Sequence, residues 1–351
     1  MNNKKEKKIA LIGQYSKPIS GSLLINKFVF KILLEEKFNV SIIDTNLNNT
    51  IETLGKIKFK KIYFLFLSYL KMAKAIFNCN LFYIVPGHTL IGLIRFLPLV
   101  IFILIFKKKL FIHHHGYGIY KILSKSKFLS FFILNQKIYH IVLTNDLKQK
   151  FLKINNKLKI RIINNFSELE VYKKKKNDDN LNIIYLSNLL ESKGYKIFLK
   201  ASKLLVNYNF HLCGKINNDS VGFISLYKNQ KNLTIHNEVN LKKKMSLLKK
   251  ADILVLQTDY ETEGVPLCIL EAMSQSCAII TTRHHGIPET VGDAGCFVAK
   301  KSLSDLVNMI ESLAQDKEKL KYFQKKSYEN YLNHFSRQNF KNSLLKYFNQ
   351  V

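Results

Sequence analysis

Apolar residues along this chain fall into short unbroken runs separated by longer stretches with helical spacing. In the first half, residues 9–12, 40–43, 62–66, 81–85, 110–112 and 138–144 read as strands, and residues 23–36 and 146–153 repeat apolar positions every three to four residues, as helices do. In the second half the alternation is strict. Strand-like runs at 183–186, 210–214, 233–235, 253–256 and 277–281 are separated by helical patterns that include 195–206, 241–249 and 266–274. Strands followed in turn by helices argue for an α/β protein with a parallel sheet and helices on both faces. Helical patterns at 303–313, 317–331 and 340–348 close the chain.

At 351 residues the chain exceeds the usual single core, so two domains are expected. Residues 171–180, polar and aperiodic with four consecutive lysines, mark the linker. This predicts a first domain over 1–170, a second over 181–335 and a terminal helix over 336–351. An apolar fraction of 47% suffices for packed cores. Cys79, Cys213, Cys268, Cys277 and Cys296 lack paired spacing and lie mostly in apolar segments. They read as free thiols in a reducing cytoplasm, which argues against a disulfide framework or a zinc site. No signal-peptide pattern follows the first residues.

The net charge of +30 is unevenly placed: residues 1–180 carry 32 Lys and Arg against 10 Asp and Glu, a balance of +22 against +8 for the rest. Part of this reflects a composition rich in Lys, Asn and Ile. A basic face could meet nucleic acid, an anionic bilayer or an anionic lipid-linked acceptor. Residues 89–106 are almost wholly apolar apart from Arg95 and run into Lys107, Lys108 and Lys109. Only eleven apolar residues, 96–106, are unbroken, short of the roughly 20 needed to span a bilayer. Two readings compete: a buried crossover helix, or a helix seated in a membrane interface with the lysines on headgroups.

The chemistry concentrates at Glu263-Gly264-Val265-Pro266-Leu267, with Glu271 four residues further on. Pro266 marks a helix start after the 253–256 strand, and Glu271, about a turn and a half inside, leans back toward the loop. Both carboxylates can then face a crevice at a strand's carboxyl end, with the helix's free N–H groups between them. Two solvated glutamates beside an ordinary helix are the plainer alternative. A strand at 110–112 ends in His113, His114, His115 and Gly116. His113 and His115 share a side of the strand and His114 does not, a poor metal site.

The run from Glu263 through Glu271-Ala272-Met273, with Gly286-Ile287-Pro288-Glu289, closely resembles the donor-site signature of glycosyltransferase family 4. These are retaining, nucleotide-sugar-dependent enzymes of the GT-B fold, α/β proteins with two Rossmann-like, doubly wound parallel-sheet domains facing a central cleft. The resemblance implies transfer of a sugar from a nucleotide-diphosphate donor to a hydroxyl acceptor, without metal or resident cofactor. It implies that Glu271 holds the ribose hydroxyls, that Glu263 contacts the donor sugar, and that Gly264, Val265, Pro266 and Leu267 lie under sugar and phosphate. His115, with His113 as second choice, would face the sugar. Gly21 is the candidate for the glycine loop after the first strand.

Where the family carries Gly-Arg-Leu and Lys-Gly, this sequence has Ser187-Asn188-Leu189 and Lys193-Gly194. Asn188 replaces a bidentate arginine fork with a neutral donor, so Lys193 is left with most of the countercharge on the pyrophosphate. The expected acceptor is a glycan or lipid-linked glycan of bacterial surface polysaccharide, met by a cytoplasmic enzyme at the inner face of an anionic membrane. Two rival classes remain: a basic nucleic-acid binder, although no recognised binding motif occurs, and an inactive scaffold of the same shape.

Overall fold

The computed structural model describes residues 8–16, 21–46, 59–87, 89–174 and 180–350. These form two compact units, one of residues 1–163 with 343–351 and the other of residues 164–342.

The first unit holds six parallel strands, β1 (Lys8–Gly13), β2 (Asn39–Asp44), β3 (Leu81–Ile84), β4 (Lys109–His114), β5 (Tyr139–Val142) and β6 (Lys159–Ile162), in the order β2-β1-β3-β4-β5-β6. Helix α1 (Gly21–Glu35) leads from β1 to β2. Every later connection runs the other way across the sheet: α2 (Phe59–Asn78), α3 (Leu90–Ile94), α4 (Leu97–Ile105), α5 (Gly118–Lys125), α6 (Lys127–Ile133) and α7 (Asn145–Ile154). Right-handed crossovers then place α2 to α7 on one face of the sheet. The core confirms the layer: Phe82, Ile84 and Ile112 pack with Met72 and Ile76 of α2, Val100 and Ile103 of α4, and Leu129 and Ile133 of α6. On the other face Phe111 meets Phe348 and Tyr347, at 4.5 and 5.2 Å between ring centres. Both belong to the last helix, which spans Arg337–Asn349.

Two expectations change here. Residues 62–66, expected as a strand, lie inside α2. Their aromatic and apolar run resembles a strand, but no Gly, Pro, Asn or Asp interrupts the sequence before Asn78, and Met72, Ala75 and Ile76 continue with helical spacing into the core. Residues 89–106 are two helices. Thr89 caps α3, accepting a hydrogen bond from the Gly92 N–H at 3.1 Å, and the helix stops at Arg95; Pro98, in the first turn of α4, suits a fresh start. The segment is not simply buried: Ile91 is 73% and Ile105 64% exposed.

The second unit also has six parallel strands: β7 (Asn182–Leu186), β8 (Asn209–Cys213), β9 (Leu233–Asn237), β10 (Ile253–Leu256), β11 (Ala278–Thr282) and β12 (Gly295–Val298). Their order is β12-β11-β10-β7-β8-β9. Strands β7, β10 and β11 are buried on both faces, which is why they read as continuous apolar runs. Residues 171–174, expected in the linker, hydrogen-bond to this unit: the Tyr172 N–H donates to Ser274 O at 2.9 Å, and the buried Lys174 ammonium meets Asp252 at 2.5 Å. Residues 175–179 of that stretch lie outside the described residues.

Candidate functional site

In the second unit the chain leaves β7 toward β8 on one side and later returns to place β10 on β7's other flank. Where connections diverge in this way, a crevice opens beyond the carboxyl ends of the two central strands. Lys193 comes from the loop after β7, and Glu263 from the loop after β10.

The loop after β7 ends in a short 3₁₀ turn, Glu191–Lys193, followed by Gly194 at φ +87°. A Cβ there would lie 2.6 Å from the Gln257 carbonyl oxygen, so only glycine lets the two loops approach this closely. The turn starts α8 (Tyr195–Leu204) and turns the Lys193 side chain inward. Its ammonium donates to Glu263 Oε2, with both side chains about nine-tenths buried. Thr258 Oγ1 donates to the same carboxylate oxygen at 3.3 Å, and the Tyr260 ring lies 4.6 Å from Lys193 Nζ. Asp259 N–H to Ser192 O, at 2.7 Å, ties the loops together. A buried ion pair of this kind costs desolvation that the pairing alone scarcely repays. It holds a cation and an anion ready at the crevice.

Glu263 leads through buried Gly264 and Val265 to Pro266, the N-cap of α11 (Leu267–Ser274). Glu271 lies inside that helix, 6% exposed, and accepts from Lys244 Nζ at 2.7 Å. Burial raises its pKa above the ordinary carboxylate value, while the Lys244 ammonium pulls it back down. Lys244 belongs to α10 (Leu241–Lys250). Asn188 is exposed, and its backbone oxygen accepts from Tyr185 Oη at 2.9 Å. Lys193, Glu263, the α11 start and Glu271 therefore lie along one strand-end region of the second unit.

The remaining candidates are in the first unit. Gly21 is the exposed first residue of α1. His113, fully buried, meets Tyr83 Oη through Nδ1 at 2.6 Å, and burial holds its pKa well below the ordinary histidine value. His115 is half-buried and stacks near His113, 4.1 Å between ring centres. His114 turns to the other side, with Nε2 3.0 Å from His140 Nδ1. Alternation along β4 thus separates His114 from the other two, and burial makes His113 a core residue and leaves His115 the accessible one. Among the described residues, no group of three or more His, Cys, Asp or Glu is placed to hold a metal ion.

Sequence reasoning missed Thr258, Tyr260 and Lys244. Lys244 sits in a run of three lysines and only the fold distinguishes it from its neighbours. Thr258 and Tyr260 follow the strand without any spacing that would single them out.

No curated protein matches the chain. Among solved structures, sucrose-phosphate synthase from Thermosynechococcus elongatus superposes with a TM-score of 0.74 at 14% identity, covering 98% of each chain. HepE of Anabaena, solved with UDP-glucose, gives 0.71 at 16% identity over 98% of this chain and 100% of its own. The lipopolysaccharide outer core galactosyltransferase WaaB, in its apo form, gives 0.66 at 16% identity over 98% and 100%. With its two six-stranded parallel sheets, the chain has the GT-B fold of glycosyltransferases. Residues 167–330 match the family model described as glycosyl transferases group 1.

Proposed function

We propose that the protein is a retaining glycosyltransferase that moves a sugar from a nucleotide-diphosphate donor to a hydroxyl of a glycan or lipid-linked glycan, in bacterial surface polysaccharide assembly. The observation that carries this reading is the buried Lys193–Glu263 pair at the β7/β10 switch point, with the α11 N-terminus beside it. The glycosyl transferases group 1 domain over the same residues supports it, as does the UDP-glucose bound by the similar HepE.

Departure of the nucleoside diphosphate builds negative charge on its phosphates and positive charge on the sugar ring. Lys193 and the free N–H groups at the start of α11 meet the phosphate charge in place, without reorganisation. Lys193 has three donors and spends one on Glu263; the others can reach phosphate oxygens. Glu263 takes the sugar hydroxyls near the reacting carbon, and Gly264, lacking a side chain, permits close approach. Glu271, held by Lys244, suits the two ribose hydroxyls. No resident cofactor or metal is assigned; the nucleotide sugar is substrate. His115 and Gly21 take their roles from the family resemblance, as does localisation on the cytoplasmic side.

The test is transfer itself. With a responsive donor and acceptor, NMR of the product should show the donor's anomeric configuration retained. Lys193→Met and Glu263→Gln should each lower kcat/KM about a hundredfold or more, the scale of losing one preorganised charge contact. Unchanged rates in both folded variants, or an inverted product, would contradict the proposal.

A further inference from the structure

Between Glu52 and Asp146 lie 93 residues with fourteen Lys and Arg and no Asp or Glu. This stretch includes α2 to α6, the helical layer that the crossovers put on one face of the first sheet. The inner sides of these helices form the core; their outer sides mix lysines with large apolar side chains.

On α2, Phe66, Leu70, Lys74 and Phe77 recur at helical spacing along one exposed stripe. On α4 Phe102 and Ile105 are exposed, as is its C-cap residue Phe106, and Phe77 and Phe106 meet edge to face at 5.7 Å, joining the two helices on the outside. On α6, Phe128 and Phe131 flank the half-buried Phe132. Of the 22 large apolar side chains exposed among the described residues, eleven lie between Phe66 and Phe131, including every exposed phenylalanine. A patch of this kind marks an interaction surface. Exposed lysines border and punctuate it: Lys71 and Lys74 on α2, Lys107 after α4, Lys125 and Lys127 at the α5–α6 corner.

We infer that the outer face of α2, α4 and α6 seats the protein on an anionic lipid surface, with phenylalanines in the acyl boundary and lysines on the headgroups. The charge pattern chooses this occupant. A second copy of the same face would bring cations against cations with no carboxylate to pair them. A nucleic acid would satisfy the lysines and leave the phenylalanines in water. An anionic bilayer takes both, as interfacial amphipathic helices do. No helix among the described residues is long and apolar enough to cross a membrane, so the contact lies in the interface plane. The surface belongs to the first unit and the Lys193–Glu263 pair to the second, so vesicle binding can be tested without donor or acceptor.

The chain contains no tryptophan, so Phe131→Trp introduces a single indole reporter. The full chain should co-sediment with vesicles containing phosphatidylglycerol and not with pure phosphatidylcholine, and in Phe131→Trp the emission should shift to the blue and be quenched by brominated acyl chains. Replacing Phe77, Phe106 and Phe131 together by serine should lower partitioning about tenfold or more. Lys74→Ala and Lys127→Ala should each lower it about fivefold at low salt. Circular dichroism of the triple variant checks that the fold is kept, and the tryptophan reporter tests the face without removing it. Vesicle binding that ignores all these substitutions, an indole unquenched by brominated lipid, or binding to duplex DNA with none to vesicles would overturn the inference. Absence of vesicle binding by the unsubstituted chain, with nucleotide-sugar binding intact, would count against this face alone and not against the transferase reading, on which it does not depend.

Discussion

Gly194 shows how one backbone position makes a site. At φ +87° an L side chain is strained, and its Cβ would lie 2.6 Å from a main-chain oxygen that cannot rotate away. Gly194→Ala should therefore cost about 1–3 kcal/mol of stability, read as a lower urea midpoint. It should also weaken nucleotide-sugar binding, because Lys193 is the next residue and moves with the turn. A variant with unchanged midpoint and donor affinity would show that the loops tolerate separation. The sequence shows Lys193-Gly194 as a pair but gives no sign of the Gln257 backbone that makes glycine necessary. Glu263 and Glu271 were legible because a strand, a glycine and a helix-starting proline fix their spacing. Thr258 and Lys244 were not, since each is placed by an element distant in sequence.

At the scale of elements, the parallel strands were the easiest to read, because burial on both faces leaves an unbroken apolar run such as Ile253–Leu256. Helix α2 was misread in part for the same reason: a short aromatic and apolar run carries no period of its own. Strand β12 and the division of residues 89–106 into two helices were not foreseen, whereas exposure of that segment was one of its two competing readings. When both sides of a helix are apolar, the pattern cannot say which side meets the core. The last helix offers a direct test of packing. Phe348 is 1% exposed against Phe111 and Tyr83 of the first unit, although it lies more than two hundred residues away in the chain. Phe348→Ala should cost about 3–5 kcal/mol, measured by chemical denaturation. A loss below about 1 kcal/mol would mean that the helix end is not part of that core.

For the molecule as a whole, two properties are divided between the two units. The second holds the Lys193–Glu263 and Lys244–Glu271 pairs proposed to meet a nucleotide diphosphate; the first carries the cationic, phenylalanine-rich helical face. The missing arginine at Asn188 puts the greatest demand on Lys193, so that residue decides whether the chain is an enzyme or only shaped like one. The most direct measurement is thermal denaturation of the full chain across a panel of UDP-, GDP- and ADP-sugars, for wild type and Lys193→Met. One donor at about 100 times its dissociation constant should stabilise wild type by about 2.7 kcal/mol and leave Lys193→Met essentially unshifted. No stabilisation by any nucleotide sugar, or an equal shift in both proteins, would contradict the account.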